Sequence, residues 1–335
     1  MFKYIVKRLL ISIVILLGVS LIIYTLVRLL PVDYIERKYS AQLQQGQMTQ
    51  EQVDEYKEMY GLGDNSFKGI VGGYFNWLSN VAKGNLGDSF KYEKPVARVI
   101  TENMWISFAI AFIATILQFL IAIPLGITSA THQYTARDYI VTIFTMIGLA
   151  LPTYFFAAIA IKIFAVDLGW LPTGGLVSGG ASYAETFAGQ MQRFGDILKH
   201  LILPISVSVI LSIGGLMRYT RTNTLEVLNA DYIRTARAKG LSEKTVIYKH
   251  AFRNTLIPLA TLLAGILPGL FGGMMITEQV FAIDGIGNIA YQALREGDIP
   301  FVMGYNMFLA ILTVIGTLLS DIMYSIVDPR VKLGK

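Results

Sequence analysis

Long apolar runs alternate with shorter polar stretches along most of this chain. A bilayer core takes about 20 predominantly apolar residues per helical crossing, and runs of that kind fall at 9–30, 105–129, 139–166, 201–217, 256–277 and 302–327. The pattern predicts an all-α polytopic membrane protein with six transmembrane helices. The first run follows Lys3, Lys7 and Arg8 in the manner of a signal peptide, but it is longer than the ~7–15 apolar residues of such a segment and no small-x-small cleavage site follows. It reads as an uncleaved first span.

Between the first two runs the chain turns polar, and 31–101 is rich in Gln, Glu, Lys and Tyr. Within it "MTQEQVDEYKEMYGL" spaces Val53, Tyr56, Met59 and Tyr60 to share a helical face, so a small extracytoplasmic helical subdomain is expected at the outer mouth. The predicted organisation is an N-terminal end and first helix (1–30), that subdomain (31–101), a five-helix core (102–327) and a short tail (328–335). No internal repeat of the spans is visible, which argues against a transporter built from tandem or inverted copies within one chain.

Composition agrees with the membrane assignment: of 335 residues 54% are hydrophobic and 15% charged, too apolar for a soluble surface. Charge adds orientation. The short loops that would be cytoplasmic hold Arg137, eight basic residues over 218–253 and, at the termini, Lys3, Lys7, Arg8, Arg330, Lys332 and Lys335. The outer short loops hold Arg193, Lys199 and Arg295. An excess of Lys and Arg marks the cytoplasmic side, so both termini are expected inside a multi-pass protein of the cell membrane. Against the eight basic residues of 218–253 stand Glu226, Asp231 and Glu243, a net +5 equal to that of the whole chain.

Catalytic signatures are missing. The Gly-Lys pair at 334–335 has no phosphate-cradling loop around it, and His132, His200 and His250 form no HExxH pair. There is no GxSxG elbow and no cysteine, hence no thiolate metal site. "GIGNIA" at 285–290 matches GxGxxA but follows no strand, and a turn is the better reading. Polar residues inside spans are functional suspects. Lys162 and Asp321 lie close enough to span ends to snorkel or to meet a neighbour such as Tyr324 or a basic group, and Gln118 lies deeper. For each, an interhelical hydrogen bond outweighs substrate contact. Pro124, Gly126, Gly148, Pro152, Pro268, Gly269 and Gly273 interrupt spans. Close packing outweighs gating there, and "GLFGG" holds a GxxxG at 269–273.

The basic stretch "DYIRTARAKGLSEKTVIYKHAFRNTLIP", 231–258, reads as two short helices with a break. Asp231 can cap the first, which places Ile233, Ala236 and Gly240 on one face, and Gly240 can supply the left-handed turn that ends it. Ser242 can cap the second, where Val246, Ile247 and Ala251 form an apolar stripe among Lys244, Lys249 and Arg253. Such an elbow suits a groove on a soluble partner. A basic patch on anionic lipid would explain the charge, but not the Ala-x-x-x-Gly spacing with its caps.

"RYTRTNTLEVLNADYIRTARAKGLSEKTVIYKHAFRNTLIP", 218–258, closely resembles the cytoplasmic loop of ABC importer permeases of the dipeptide, oligopeptide and nickel branch. The general form of that loop has Glu-Ala-Ala, three residues, then Gly; this chain has Arg234, Thr235, Ala236 and then Gly240, the branch's own variant. "NLGDSFKYEKPVARVI", "LGWLPTGG", "TEQVFAIDGIGNIAYQALREGDIPFVMG" and "DIMYSIVDPRVKLG" carry the likeness over nearly the whole chain. The resemblance implies the type I ABC importer permease fold, and coupling to an ATPase through Asp231, Arg234, Ala236, Arg237, Ala238, Lys239, Gly240 and Leu241. It also implies a second homologous permease, two cytoplasmic ATP-binding subunits that carry ATP and Mg, and an extracytoplasmic peptide-binding protein. No cofactor is expected on this chain, no nucleic acid partner, and membrane lipid around it. The expected function is ATP-driven import of di- or oligopeptides, with nickel chelates or glutathione as other solutes of the same class. A self-contained channel or ion-coupled carrier is the alternative, but no Asp, Glu or His cluster lies within a span to hold a coupling ion.

Overall fold

The computed structural model describes residues 2–29, 34–59 and 66–327, and the apolar runs within them are helical. Among the described residues, four helices are long and apolar enough to cross a membrane unaided: α1 (Phe2–Arg28), α5 (Val96–Thr131), α8 (Phe187–Leu228) and α15 (Ile299–Val327). At 1.5 Å per residue, the 42 residues of α8 reach about 63 Å, roughly twice the thickness of a hydrocarbon core. That helix therefore projects beyond the bilayer.

The other two predicted spans are broken. The run at 139–166 becomes α6 (Ala136–Ala150) and α7 (Thr153–Ala160), which continues as a π-helical stretch, Ile161–Asp167. Pro152 lacks an N–H and drives Leu151 to extended backbone, so the two halves meet at 105°. Together they still make one crossing. Asp138 meets Arg221, a Cβ on Gly148 would touch the Ile210 carbonyl, and Ala157 and Ala160 pack with Leu201, Leu203 and Val207. Contacts thus step steadily backward along α8, the mark of an antiparallel neighbour and not of a loop that turns back.

The run at 256–277 becomes α11 (Phe252–Gly265) and α12 (Leu267–Phe271), and it ends earlier than predicted. Gly273 adopts φ +74°, open to glycine at no steric cost, and beyond that turn the chain enters a separate short helix, α13 (Met275–Val280), with Met274 at its N-cap. Phe271 stacks on Phe108 of α5 at 4.7 Å between ring centres. Among the described residues, five crossings are thus long and apolar enough, one of them bent, and the shorter α11–α12 pair stands where a sixth was predicted.

The region between α1 and α5 is helical: α2 (Tyr34–Gln44), α3 (Gln50–Met59) and α4 (Phe67–Ala82). Val53 of α3 is buried as its spacing predicts, while Tyr60 and the side chains of Tyr56 and Met59 lie outside the described residues. The tail at 328–335 lies outside them too. α4 lies along the second half of α1, where the Tyr74 hydroxyl donates to the Leu17 carbonyl at 3.0 Å and pairs with Ser20 Oγ at 2.9 Å. The largest core joins Tyr24 and Tyr74 to Val96, Ile100 and Phe301, together with Ile286 of α14 (Ile286–Glu296).

Candidate functional site

The basic stretch after α8 folds into an elbow with a small core of its own. α9 (Asp231–Ala238) leads through Gly240 to a single turn, α10 (Glu243–Thr245), and a π-helical stretch, Val246–Ala251, that feeds α11. Ile233 and Ala236 of α9 pack against Val246 and Ala251, with Val227 and Leu228 from the end of α8 alongside. Gly240 has φ +76° and its N–H donates to the Arg237 carbonyl at 2.9 Å, the left-handed stop predicted for it. Ser242 Oγ accepts from the Thr245 N–H at 3.4 Å, as a cap should. Arg237 then closes the elbow on Glu243, with Nε donating at 2.8 Å and Nη2 at 3.3 Å.

Two sequence expectations change here. Ala230, not Asp231, occupies the N-cap; Asp231 lies in the first turn, where its carboxylate still favours the positive end of the helix dipole. Its nearest cation is Arg234 at 3.6 Å. Ile233, Ala236 and Gly240 do not form one docking face either. Ile233 and Ala236 turn inward, Ala236 being small enough for α9 to lie on the Val246–Ala251 stretch, while Gly240 faces out and a Cβ added to it would meet nothing within 4 Å. Asp231, Arg234, Arg237, Ala238, Lys239, Gly240 and Leu241 are all exposed.

The helices that lead to the elbow are joined by a network that sequence reading missed. Arg221 of α8 binds Asp138 of α6 through Nη2–Oδ2 at 3.0 Å and Nε–Oδ1 at 3.2 Å. Asp138 is 4% exposed and also accepts from Ser129 Oγ of α5 and from the Tyr134 N–H. α5, α6 and α8 are thereby tied together less than two helical turns before α8 reaches the elbow. Arg8 of α1 similarly holds Asp321 of α15 at 3.1 Å, the basic partner expected for that aspartate. Gln118 donates to the Ser212 carbonyl of α8 at 2.9 Å, so it is an interhelical bond as predicted, and Lys162 pairs with Asp167.

At the opposite end of the helices, two buried carboxylates organise the chain between α12 and α15. Glu278 is 0% exposed and accepts from Ser107 Oγ at 2.7 Å and from the Met274 and Asn288 N–H groups, each at 2.9 Å. Asp298 caps α15 by accepting from the Phe301 N–H at 3.1 Å, and it also takes Ser89 Oγ at 2.5 Å and the Lys91 N–H at 3.0 Å. The Asp298 bonds explain two of the family-like strings, because 85–100 and 277–304 are docked on each other through them. Among the described residues, no cluster of His, Cys, Asp and Glu has the arrangement to hold a metal ion.

The chain is similar to known proteins. Residues 122–333 match the family described as "Binding-protein-dependent transport system inner membrane component". The oligopeptide transport system permease protein AppB of Bacillus subtilis is 37% identical over 333 residues, covering 99% of this chain and 100% of that one. The dipeptide transport system permease protein DppB of Alkalihalophilus pseudofirmus is 31% identical, again over 99% of this chain and 100% of that one. Among solved structures, inward facing conformations of the MetNI methionine ABC transporter match with a TM-score of 0.51 at 17% identity, covering 69% of this chain and 97% of that one. That last likeness concerns the fold alone.

Proposed function

Because the chain belongs to the family of binding-protein-dependent transport system inner membrane components, we propose that it forms half of a peptide pathway that opens alternately to the two sides of the membrane. It is a multi-pass permease subunit of an ABC transporter and not an enzyme; ATP hydrolysis belongs to a separate subunit, and a substrate-binding protein serves the complex. The observation that carries the peptide assignment is the end-to-end 37% identity with an oligopeptide permease. In our reading a second homologous permease completes the pathway, two ATP-binding subunits carry ATP and Mg, and an extracytoplasmic peptide-binding protein delivers the solute. Both termini and the elbow lie in the cytoplasm, as the excess of Lys and Arg on that side favours.

The elbow couples the two processes. Asp231, Arg234, Arg237, Ala238, Lys239, Gly240 and Leu241 meet a groove on one ATPase, and Ala236 serves from within by keeping α9 seated. α8 runs unbroken from the elbow through the membrane, and the Arg221–Asp138 pair attaches α6 to it. When the ATPases close and the two elbows approach each other, α8 and the bent α6–α7 crossing move as a unit.

The test is Leu241→Asp in the purified whole transporter. Leu241 is 39% exposed, so the change forfeits part of a leucine's burial and costs the isolated fold about 1–2 kcal/mol. Hydrolysis stimulated by peptide-loaded binding protein should be lost. Full stimulation in the variant, or peptide uptake by this chain alone without ATP, would overturn the reading.

A further inference from the structure

The two broken crossings meet at one place. A cavity of about 490 Å³ opens where α7 begins after Pro152, where α13 begins after Gly273, and against one face of α8. Thr153, Ser208, Ser212 and Thr277 line it together with methionine and aliphatic side chains. Among the described residues, no charged side chain lines it.

Non-helical backbone at membrane depth is tolerated only where protein covers it or water reaches it. Protein serves the backbone of the second break, where Tyr305 Oη donates to the Gly272 carbonyl and the Met274 N–H to Glu278, yet both breaks border this open cavity. Ser208 Oγ donates to the Pro204 carbonyl at 2.8 Å and Ser212 Oγ to the Val209 carbonyl at 3.1 Å. Each hydroxyl has therefore used its proton and keeps oxygen lone pairs for an incoming donor. Amide N–H groups are donors that every peptide offers whatever its side chains, and an uncharged wall neither selects nor repels side-chain charge.

We propose that this cavity is a stretch of the translocation path wall, where a peptide in transit is held through its backbone N–H groups by the Ser208 and Ser212 hydroxyls. The inference rests on the peptide-permease reading and adds to it the residues and the chemistry of recognition.

The chain contains no cysteine, so single thiols placed in it report without background once any cysteines of the partner subunits are replaced by serine. Ser208→Cys, Ser212→Cys and, as a membrane-facing control, Val14→Cys on α1, 70% exposed, are compared in the reconstituted whole transporter. The probe is a cationic methanethiosulfonate reagent, applied with and without ATP. Uptake of radiolabelled penta-alanine is followed in the same vesicles. The thiols at 208 and 212 should react on the order of a hundredfold faster than that at 14, since hydrocarbon excludes the charged reagent, in at least one nucleotide state. Penta-alanine delivered by the binding protein should slow them. Reaction as slow as at 14 in every state of a transporter that takes up penta-alanine would mean that the partner permease covers this face, and would overturn the inference. Fast reaction with no protection, while uptake proceeds, would place the peptide elsewhere and overturn it as well. Absence of ATP-driven uptake counts against the peptide reading and removes the peptide from the proposal, while labelling alone still decides whether the cavity belongs to the water path.

Discussion

Arg221 of α8 and Asp138 of α6 form a two-point ion pair across 83 residues of sequence, in which the carboxylate is almost wholly buried. Removing one partner strands the other. Asp138→Asn is expected to cost about 2–3 kcal/mol, below the ~3–5 kcal/mol of a fully buried pair because Arg221 keeps some contact with solvent. Thermal unfolding of the detergent-solubilised complex reads this as a clear fall in midpoint, and the double variant Asp138→Leu with Arg221→Met should recover most of it. An unchanged midpoint in the single variant would show that the pair holds nothing.

Glu278 presents its carboxylate to three donors at once. Glu278→Gln turns one acceptor into an NH₂ group that faces them, at a cost of about 1–3 kcal/mol. The chain between α12 and α15 should then open more readily, seen as faster proteolysis at 281–298. Wild-type cleavage rates would contradict this.

At Gly148, close approach and not flexibility is the requirement. A Cβ there would come within 2.8 Å of the Ile210 carbonyl, so Gly148→Val must push α6 off α8. Overpacking of this kind costs roughly 1–3 kcal/mol. A lower yield of assembled transporter, measured after gentle extraction, is the expected result, with Gly215→Val as a control, because a Cβ at Gly215 meets nothing.

Charge on the elbow should matter less than shape. Lys239 and Lys244 are exposed, and exposed charge contributes about 0–1 kcal/mol per pair. Lys239→Gln with Lys244→Gln should therefore leave more than half of the peptide-stimulated ATP hydrolysis in place. A larger loss than Leu241→Asp produces would favour an electrostatic or lipid-binding elbow.

What sequence alone revealed depended on how local the determining physics is. The turn at Gly240, the cap at Ser242 and the helix around Val53 are settled within a few residues, and each is where its neighbours predict. Pro152 announces an interruption but not the angle, which packing against α8 decides. GxxxG at 269–273 misled because a Cβ on Gly269 meets nothing, and Gly273 serves a turn against Gly287. Asp138 and Glu278 escaped notice because their partners are distant in sequence: Arg221 in one case, Ser107 in the other. Ala236 and Gly240 looked like one face by spacing, but Val246 and Ala251 pull Ala236 inward.

Gly240→Asn in the whole transporter tests the coupling role most directly. Asn tolerates the left-handed backbone that Gly240 adopts, and among the described residues its Cβ meets nothing within 4 Å, so a loss of function with the fold intact points to a surface on another subunit. ATP hydrolysis stimulated by peptide-loaded binding protein, and peptide uptake with it, should fall roughly tenfold or more, the size of a central interface contact, with the thermal midpoint close to wild type. Wild-type hydrolysis and uptake in that variant would contradict docking of the elbow on the ATPase.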